Sequence, residues 1–208
     1  MTEEVQVDWE KLRNPPEPFK LIVPDYNDIE FHKKIIRLKD HLMNKYLETS
    51  DEYRNEPYLD YVIKGGFFGW GTSMYEAGDM DVLVGFISPV PGFKCGMSLN
   101  LLDKKIWGKE FVRAGKKLIT MYMDEFQLKR IGTQTADPKI VKMAKMVGFK
   151  DEGTRPFSFK WNGKFFPTYY LGLTRNNDLE AGIKEIERGE SVSFEELKRD
   201  LAVKREEK

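Results

Sequence analysis

The chain has little of what builds the commonest reactive centres. A single cysteine, Cys95, in 208 residues excludes an internal disulfide and fits a reducing compartment, so a cytoplasmic protein is expected. The two histidines, His32 and His41, stand nine residues apart on one predicted helix and face opposite ways, so they cannot share a metal ion. No zinc-ligand spacing, no G-x-S-x-G turn and no phosphate-loop lysine motif occurs. No apolar run approaches the ~20 residues needed to span a bilayer. The first 18 residues, MTEEVQVDWEKLRNPPEP, are acidic and lack the apolar core of a secretion signal. Neither charge dominates, with 34 Lys+Arg against 34 Asp+Glu, so no global field favours nucleic acid or an anionic membrane.

What is present is enough for a sizeable core: 40% apolar residues, 13% of the chain aromatic. Residues 1–18 carry Pro15, Pro16 and Pro18 and read as an extended arm. Phe19 to Val23 reads as a first strand. Phe31, Ile35, Leu38, Leu42 and Tyr46 then recur at helical spacing, with Asp25 or Asp28 as the cap. Glycine-punctuated aromatic and β-branched residues suggest antiparallel strands near 60–76, 80–88 and 93–102. The four glycines Gly65, Gly66, Gly69 and Gly71 match no dinucleotide fingerprint and read as bulges in a twisted hairpin. Cys95 is expected to be a small buried apolar residue.

From Phe111 the helical period returns, through Ala114, Leu118, Met121 or Tyr122, and Phe126. Arg113, Lys116 and Lys117 are expected on its solvated side. Arg130 to Thr135 fits a strand. Asp137-Pro138 is a helix start and Gly148 its left-handed stop. Asn162-Gly163 then joins two strands in a tight hairpin. Residues 176–208 carry two short amphipathic patterns and read as a helical tail that docks or reaches for a protein partner. Three regions follow: an arm at 1–18, an α/β domain at 19–175 and a tail at 176–208.

The order β-α-β-β-β-α-β-α-β-β places a strand-to-helix turn at Asp103 to Gly108. Free N–H groups at such a helix start, beside Lys104, Lys105 and Lys109, suit a diphosphate. The stretch Trp107-Gly108-Lys109-Glu110, with Asp137 eleven residues before Gly148, then Phe149, Glu152-Gly153 and the Asn162-Gly163 hairpin, resembles the GNAT superfamily of acyl-CoA N-acyltransferases. Its closest likeness is to the branch that acetylates ribosomal-protein N-termini.

The resemblance implies a mixed, mostly antiparallel sheet flanked by helices. It implies acetyl-CoA lying between the strand that ends at Leu101-Leu102 and the strand at Ile131 to Thr135. Asn100, Leu101 and Leu102 would bond the pantetheine arm. Amides of Ile106, Trp107, Gly108, Lys109 and Glu110 would hold the diphosphate, with Lys105 and Asp137 as further contacts. The implied reaction is direct attack of a primary amine on the thioester; the acceptor is a protein, a polyamine or an aminoacyl-tRNA. Glu76, Ser98 and Tyr170 are the candidate catalytic side chains. Three departures bear on activity. Glu110 stands where the family has a small residue, Asp137 where it has Asn, and Ala144 where many members carry a tyrosine acid. They keep open the alternative of a GNAT-shaped binding module without transferase activity.

Overall fold

The computed structural model describes residues 5–25, 27–36, 72–79, 81–101 and 108–175. The rest of the predicted first helix, the glycine cluster at 65–71, the residues Leu102, Lys105, Ile106 and Trp107 of the predicted turn, and the predicted tail at 176–208 lie outside them.

The described chain runs α1 (Trp9–Arg13), β1 (Lys20–Leu21), α2 (29–36), β2 (Thr72–Ala77), β3 (Val82–Val90), β4 (Lys94–Leu101), α3 (Lys109–Glu125), β5 (Arg130–Thr135), α4 (Pro138–Val147), β6 (Lys150–Trp161) and β7 (Lys164–Thr174). Its strands form one seven-stranded sheet in the order β1-β2-β3-β4-β5-β7-β6. Every neighbouring pair is antiparallel except β4–β5, which is parallel. This is the mixed α/β architecture that the element order predicts. None of the described helices is long and apolar enough to cross a membrane.

Strand alternation divides the sheet into two faces. The front face turns Tyr75, Val84, Phe86, Cys95, Met97, Leu99, Ile131, Leu171 and Leu173 into one core with α3 and α4. At its centre Tyr75, Phe86, Tyr122 and Phe126 form a ring column, with successive centroids 5.9, 3.9 and 4.7 Å apart. On the back face Met74 and Leu83 are buried outside that core, as are Phe31 and Ile35 of α2. Asp28 caps α2, its carboxylate accepting from Glu30 N at 2.9 Å.

Local signals hold where they are strongest. Asp137 Oδ1 accepts from Lys139 N at 2.8 Å, Pro138 opens α4, and Gly148 ends it at φ 111°. Asn162 and Gly163 both take positive φ, 50° and 72°, as a two-residue hairpin turn requires.

Three expectations need correction. The arm is not extended throughout, because Trp9–Arg13 is a helical turn capped by Asp8. It forms because Leu12 has a pocket to fill and Trp9 meets the edge of Phe126, while Lys11 pairs with Glu125. The prolines follow the turn and do not prevent it. Strand β1 covers only Lys20–Leu21, with Ile22 N adding one bond to Met74 O at 2.8 Å. Lys116 is buried, not solvated. Lys116, Ile119 and Met123 make a second covered stripe on α3, so the helix buries a wider arc than one amphipathic face.

Burial raises the Tyr75 and Tyr122 phenols above their ordinary value and pushes the Cys95 thiol up to about 12. In the unfolded chain these groups lose protons at lower pH than in the fold. Stability is therefore full below about pH 9 and falls as pH rises towards 12, by up to ~1.4 kcal/mol per unit for each titrating group. Urea unfolding at pH 7, 9 and 10.5 should show a midpoint that is level over the first interval and drops over the second.

Candidate active site

The site begins where the sheet comes apart. β4 and β5 pair only at Lys94↔Arg130, Cys95↔Ile131 and Gly96↔Gly132. Beyond that point β4 stays with β3 as far as Leu101, while β5 stays with β7 as far as Thr135↔Tyr169. The sheet splits into two halves, and the facing N–H and C=O groups of Met97–Leu101 and Thr133–Thr135 have no strand partner across the gap. Unpaired backbone groups in such a slot accept an extended, amide-bearing ligand as a strand would.

The walls of the slot differ by face. On the front face Met97 and Leu99 oppose Thr133 and Thr135, all four buried. A narrow apolar pocket of about 30 Å³ continues from Met97 and Leu99 to Phe111 and Gly115 of α3 and Met143 and Val147 of α4. On the back face the register places Ser98 and Asn100 on β4 and Gln134 on β5, with Tyr170 opposite Gln134 on β7.

At the front mouth, α3 starts at Gly108, whose φ of −177° and ψ of 176° are extended. Its first i−4 bond is Val112 N to Gly108 O, so the amides of Lys109, Glu110 and Phe111 have no helical acceptor. A Cβ on Gly108 would meet nothing within 4 Å among the described residues. Glu110 turns away: its carboxylate accepts from Arg113 Nη1 at 2.8 and 3.0 Å along the exposed side of the helix. A phosphate-bearing chain with an amide-containing arm fits this arrangement, head at the helix start and arm in the slot.

The candidate catalytic side chains are not equally placed. Lys20, Glu76, Leu83 and Asn100 share one cross-strand row on the back face. Two strand spacings put the Glu76 backbone about 10 Å from that of Asn100. Glu76 Oε2 is buried without a hydrogen-bond partner among the described residues. Ser98 faces the same way, but its Oγ lies over Gly85, 2.5 Å from where a Cβ would stand, and so leans to β3 and away from the slot. Tyr170 is half-buried beside Gln134, whereas Tyr169 falls opposite Thr135 on the front face. Ala144 is fully buried, so no hydroxyl enters from that turn of α4. Asp137 is buried and committed as a cap, its N–H donating to Thr135 Oγ1 at 3.0 Å. Cys95 sits at the root of the slot as a protonated thiol, 2.9 Å from Gly96 O, and offers no nucleophile there.

Two features were missed by sequence reasoning. Gln134 reaches the back mouth, which its alternation with Ile131 signals once the slot is known. Arg130 and Glu152 form a two-bond ion pair across β7. A Cβ on Gly172 would collide with the Glu152 carboxylate, and one on Gly132 would come within 3.6 Å of Arg130 Nη1. The two glycines are the floor on which this pair lies, next to the point where β4 and β5 part.

No protein-family model matches the chain, and no curated protein sequence matches it. Solved structures do. Mycobacterium smegmatis RimJ in complex with CoA-disulfide superposes with a TM-score of 0.58 at 12% identity, over 82% of this chain and 89% of that one. The ribosomal-protein-S5-alanine acetyltransferase from Vibrio fischeri gives 0.54 at 16% identity, covering 77% and 95%. Spermidine N-acetyltransferase from Vibrio cholerae, in complex with CoA and spermine, gives 0.52 at 16% identity, covering 75% and 95%. These likenesses show that the chain has the GNAT acetyltransferase fold, as its motifs imply.

Because Met74 Sδ and Ser98 Oγ both stand 2.5 Å from the missing Cβ of Gly85, Gly85→Ala is expected to lower stability by about 1–3 kcal/mol. A urea midpoint unchanged from the parent chain would show that the two side chains yield freely.

Proposed function

We propose that this GNAT-fold domain is an acyl-CoA-dependent N-acyltransferase, moving an acetyl or other acyl group from CoA to a primary amine by direct attack. The observation that carries the reading is the slot between β4 and β5, walled by buried side chains on its front face, polar on its back face and floored by the parallel pairing at Gly96 and Gly132. Acetyl-CoA, when bound, supplies the activated acyl carbonyl. The chain's own groups do the rest. Free amides at Lys109, Glu110 and Phe111, with the positive end of α3, hold the diphosphate at the front mouth. Lys105, Ile106 and Trp107 complete that loop in this reading, and Thr133 and Thr135 line the arm's path. Backbone N–H groups of Asn100, Leu101 and Leu102 orient the acyl carbonyl and stabilise the charge that gathers on its oxygen.

The acceptor enters from the back face, where the polar side chains stand. Glu76 takes the proton from the amine through a bridging water, its buried Oε2 being an acceptor with no partner among the described residues. Tyr170 is the phenol on the same face and returns a proton to the leaving sulfur. Ser98, turned towards Gly85, keeps a packing role. The relatives named above are described as acting on spermidine and on a ribosomal-protein alanine, and amines of both kinds are acceptors to try. The alternative of a binding module without transfer has one specific observation in its favour: Ala144 is sealed in the core, so the turn of α4 that carries an acid in many members supplies none here.

Titration calorimetry with acetyl-CoA and with CoA is the first test. Micromolar binding of both supports transfer; no binding at millimolar ligand favours the module. Glu110→Gly should change CoA affinity by less than about threefold, because the Glu110 carboxylate is drawn off to Arg113. A tenfold gain would show that it repels the ligand after all. With an active amine in hand, Glu76→Gln should lower kcat by about 10²–10³ while CoA affinity holds. An unchanged kcat would remove Glu76 from the mechanism.

A further inference from the structure

Beyond the slot, the β6–β7 hairpin outgrows the sheet. β5 pairs with β7 only from Tyr169 to Thr174, whereas β6 and β7 stay paired out to Trp161↔Lys164. The distal part is thus a two-stranded ribbon that projects past its neighbours. Its composition is one-sided. From Arg155 to Thr168 there is no Asp or Glu, but there are Arg155, Lys160 and Lys164, interleaved with five aromatic residues. In a chain of zero net charge this is a local reversal of the average.

The ribbon also carries a cost with no folding return. Phe157 is 78% exposed, the most exposed of the large apolar side chains among the described residues, and its φ of +51° lies in the left-handed region. A bulky residue there is strained. The bulge between Arg155 and Phe159 holds it in place, with the Ser158 hydroxyl bonding Arg155 O at 2.9 Å and the Thr168 hydroxyl at 2.8 Å. Phe165, 58% exposed, stands in register with Lys160, whose ammonium lies 6.0 Å from its ring centroid. Arg155 and Lys164 are exposed and have no carboxylate partner among the described residues.

We propose that this ribbon is a docking surface for single-stranded nucleic acid. Exposed ring faces stack bases without regard to sequence; Lys160 and Phe165 share one face of the ribbon and Arg155 and Lys164 the other, so a strand wrapping it meets cations on both faces that neutralise its phosphates. The layout disfavours the other occupants. A bilayer would meet the hairpin tip first, and the tip is Asn162-Gly163 flanked by Lys164 and by Trp161, which is half-buried against Phe166, with the exposed phenylalanines behind it. An acidic peptide would satisfy the cations but leaves a strained, exposed Phe157 ring without a planar partner. The surface is separate from acyl transfer and stands whether or not the chain is a transferase.

Fluorescence polarisation of the full chain with labelled 20-mers of mixed-sequence single-stranded RNA and DNA tests this. Binding is expected at 50 mM salt and should weaken about 20-fold by 200 mM if three phosphates are neutralised. Phe157→Ala and Phe165→Ala should each weaken it about tenfold, and Lys160→Glu with Lys164→Glu should abolish it. Circular dichroism melts check that the variants fold, as exposed side chains allow. No binding to either oligonucleotide at 50 mM salt overturns the proposal. So does binding that the aromatic variants leave unchanged, or stronger retention by phosphatidylserine vesicles or by a poly-glutamate peptide than by the oligonucleotides.

Discussion

Everything distinctive in this protein follows from one strand pairing that stops early. Two parallel strands bond for three residues and then separate, because each is held more firmly by its other neighbour. β4 is tied to β3 by an antiparallel ladder along its length, and β5 to β7 likewise. Neither can follow the other without breaking its own ladder. The gap leaves backbone groups unpaired inside a covered sheet, a costly arrangement unless a ligand supplies the missing partners.

The surroundings are consistent with that use. The front side of the gap is apolar and leads to a helix start with free amides; the back side is polar and open. A ligand carrying phosphates, amides and a reactive carbonyl would run from one side to the other and present its reactive end to an amine behind the sheet. The Arg130–Glu152 pair braces the β5–β7–β6 half beside the fork, and its glycine floor explains two residues that carry no side chain. The same half extends into the ribbon. One side of the split thus contributes both a wall of the slot and the surface proposed for a polyanion.

Much of the local structure was legible beforehand. Asp137-Pro138, Gly148 and Asn162-Gly163 act within four or five residues through bonds that depend on their own chemistry, and each does in the fold what its type demands. Strand Arg130–Thr135 and the buried stripe of α3 followed from periodicity. The misses are of another kind. Lys116 is buried with Ile119 and Met123 on a second covered stripe of α3, and the arm turns helical because Leu12 joins the core and Trp9 meets Phe126, more than a hundred residues away. Glu110 looked like an obstacle until Arg113, one turn on, took its carboxylate aside.

The sequence by itself therefore determined most of the described elements, their order and the fold they compose, since caps, turns and hydrophobic period act over short range. Only the tertiary structure decided the site. Which of Glu76, Ser98 and Tyr170 faces the slot depends on strand register across three or four neighbours, and register depends on the whole sheet closing at once. A shift of one residue would send every one of these side chains to the opposite face. The place where β4 and β5 part is likewise a balance between ladders on both sides, which no single stretch of the chain contains.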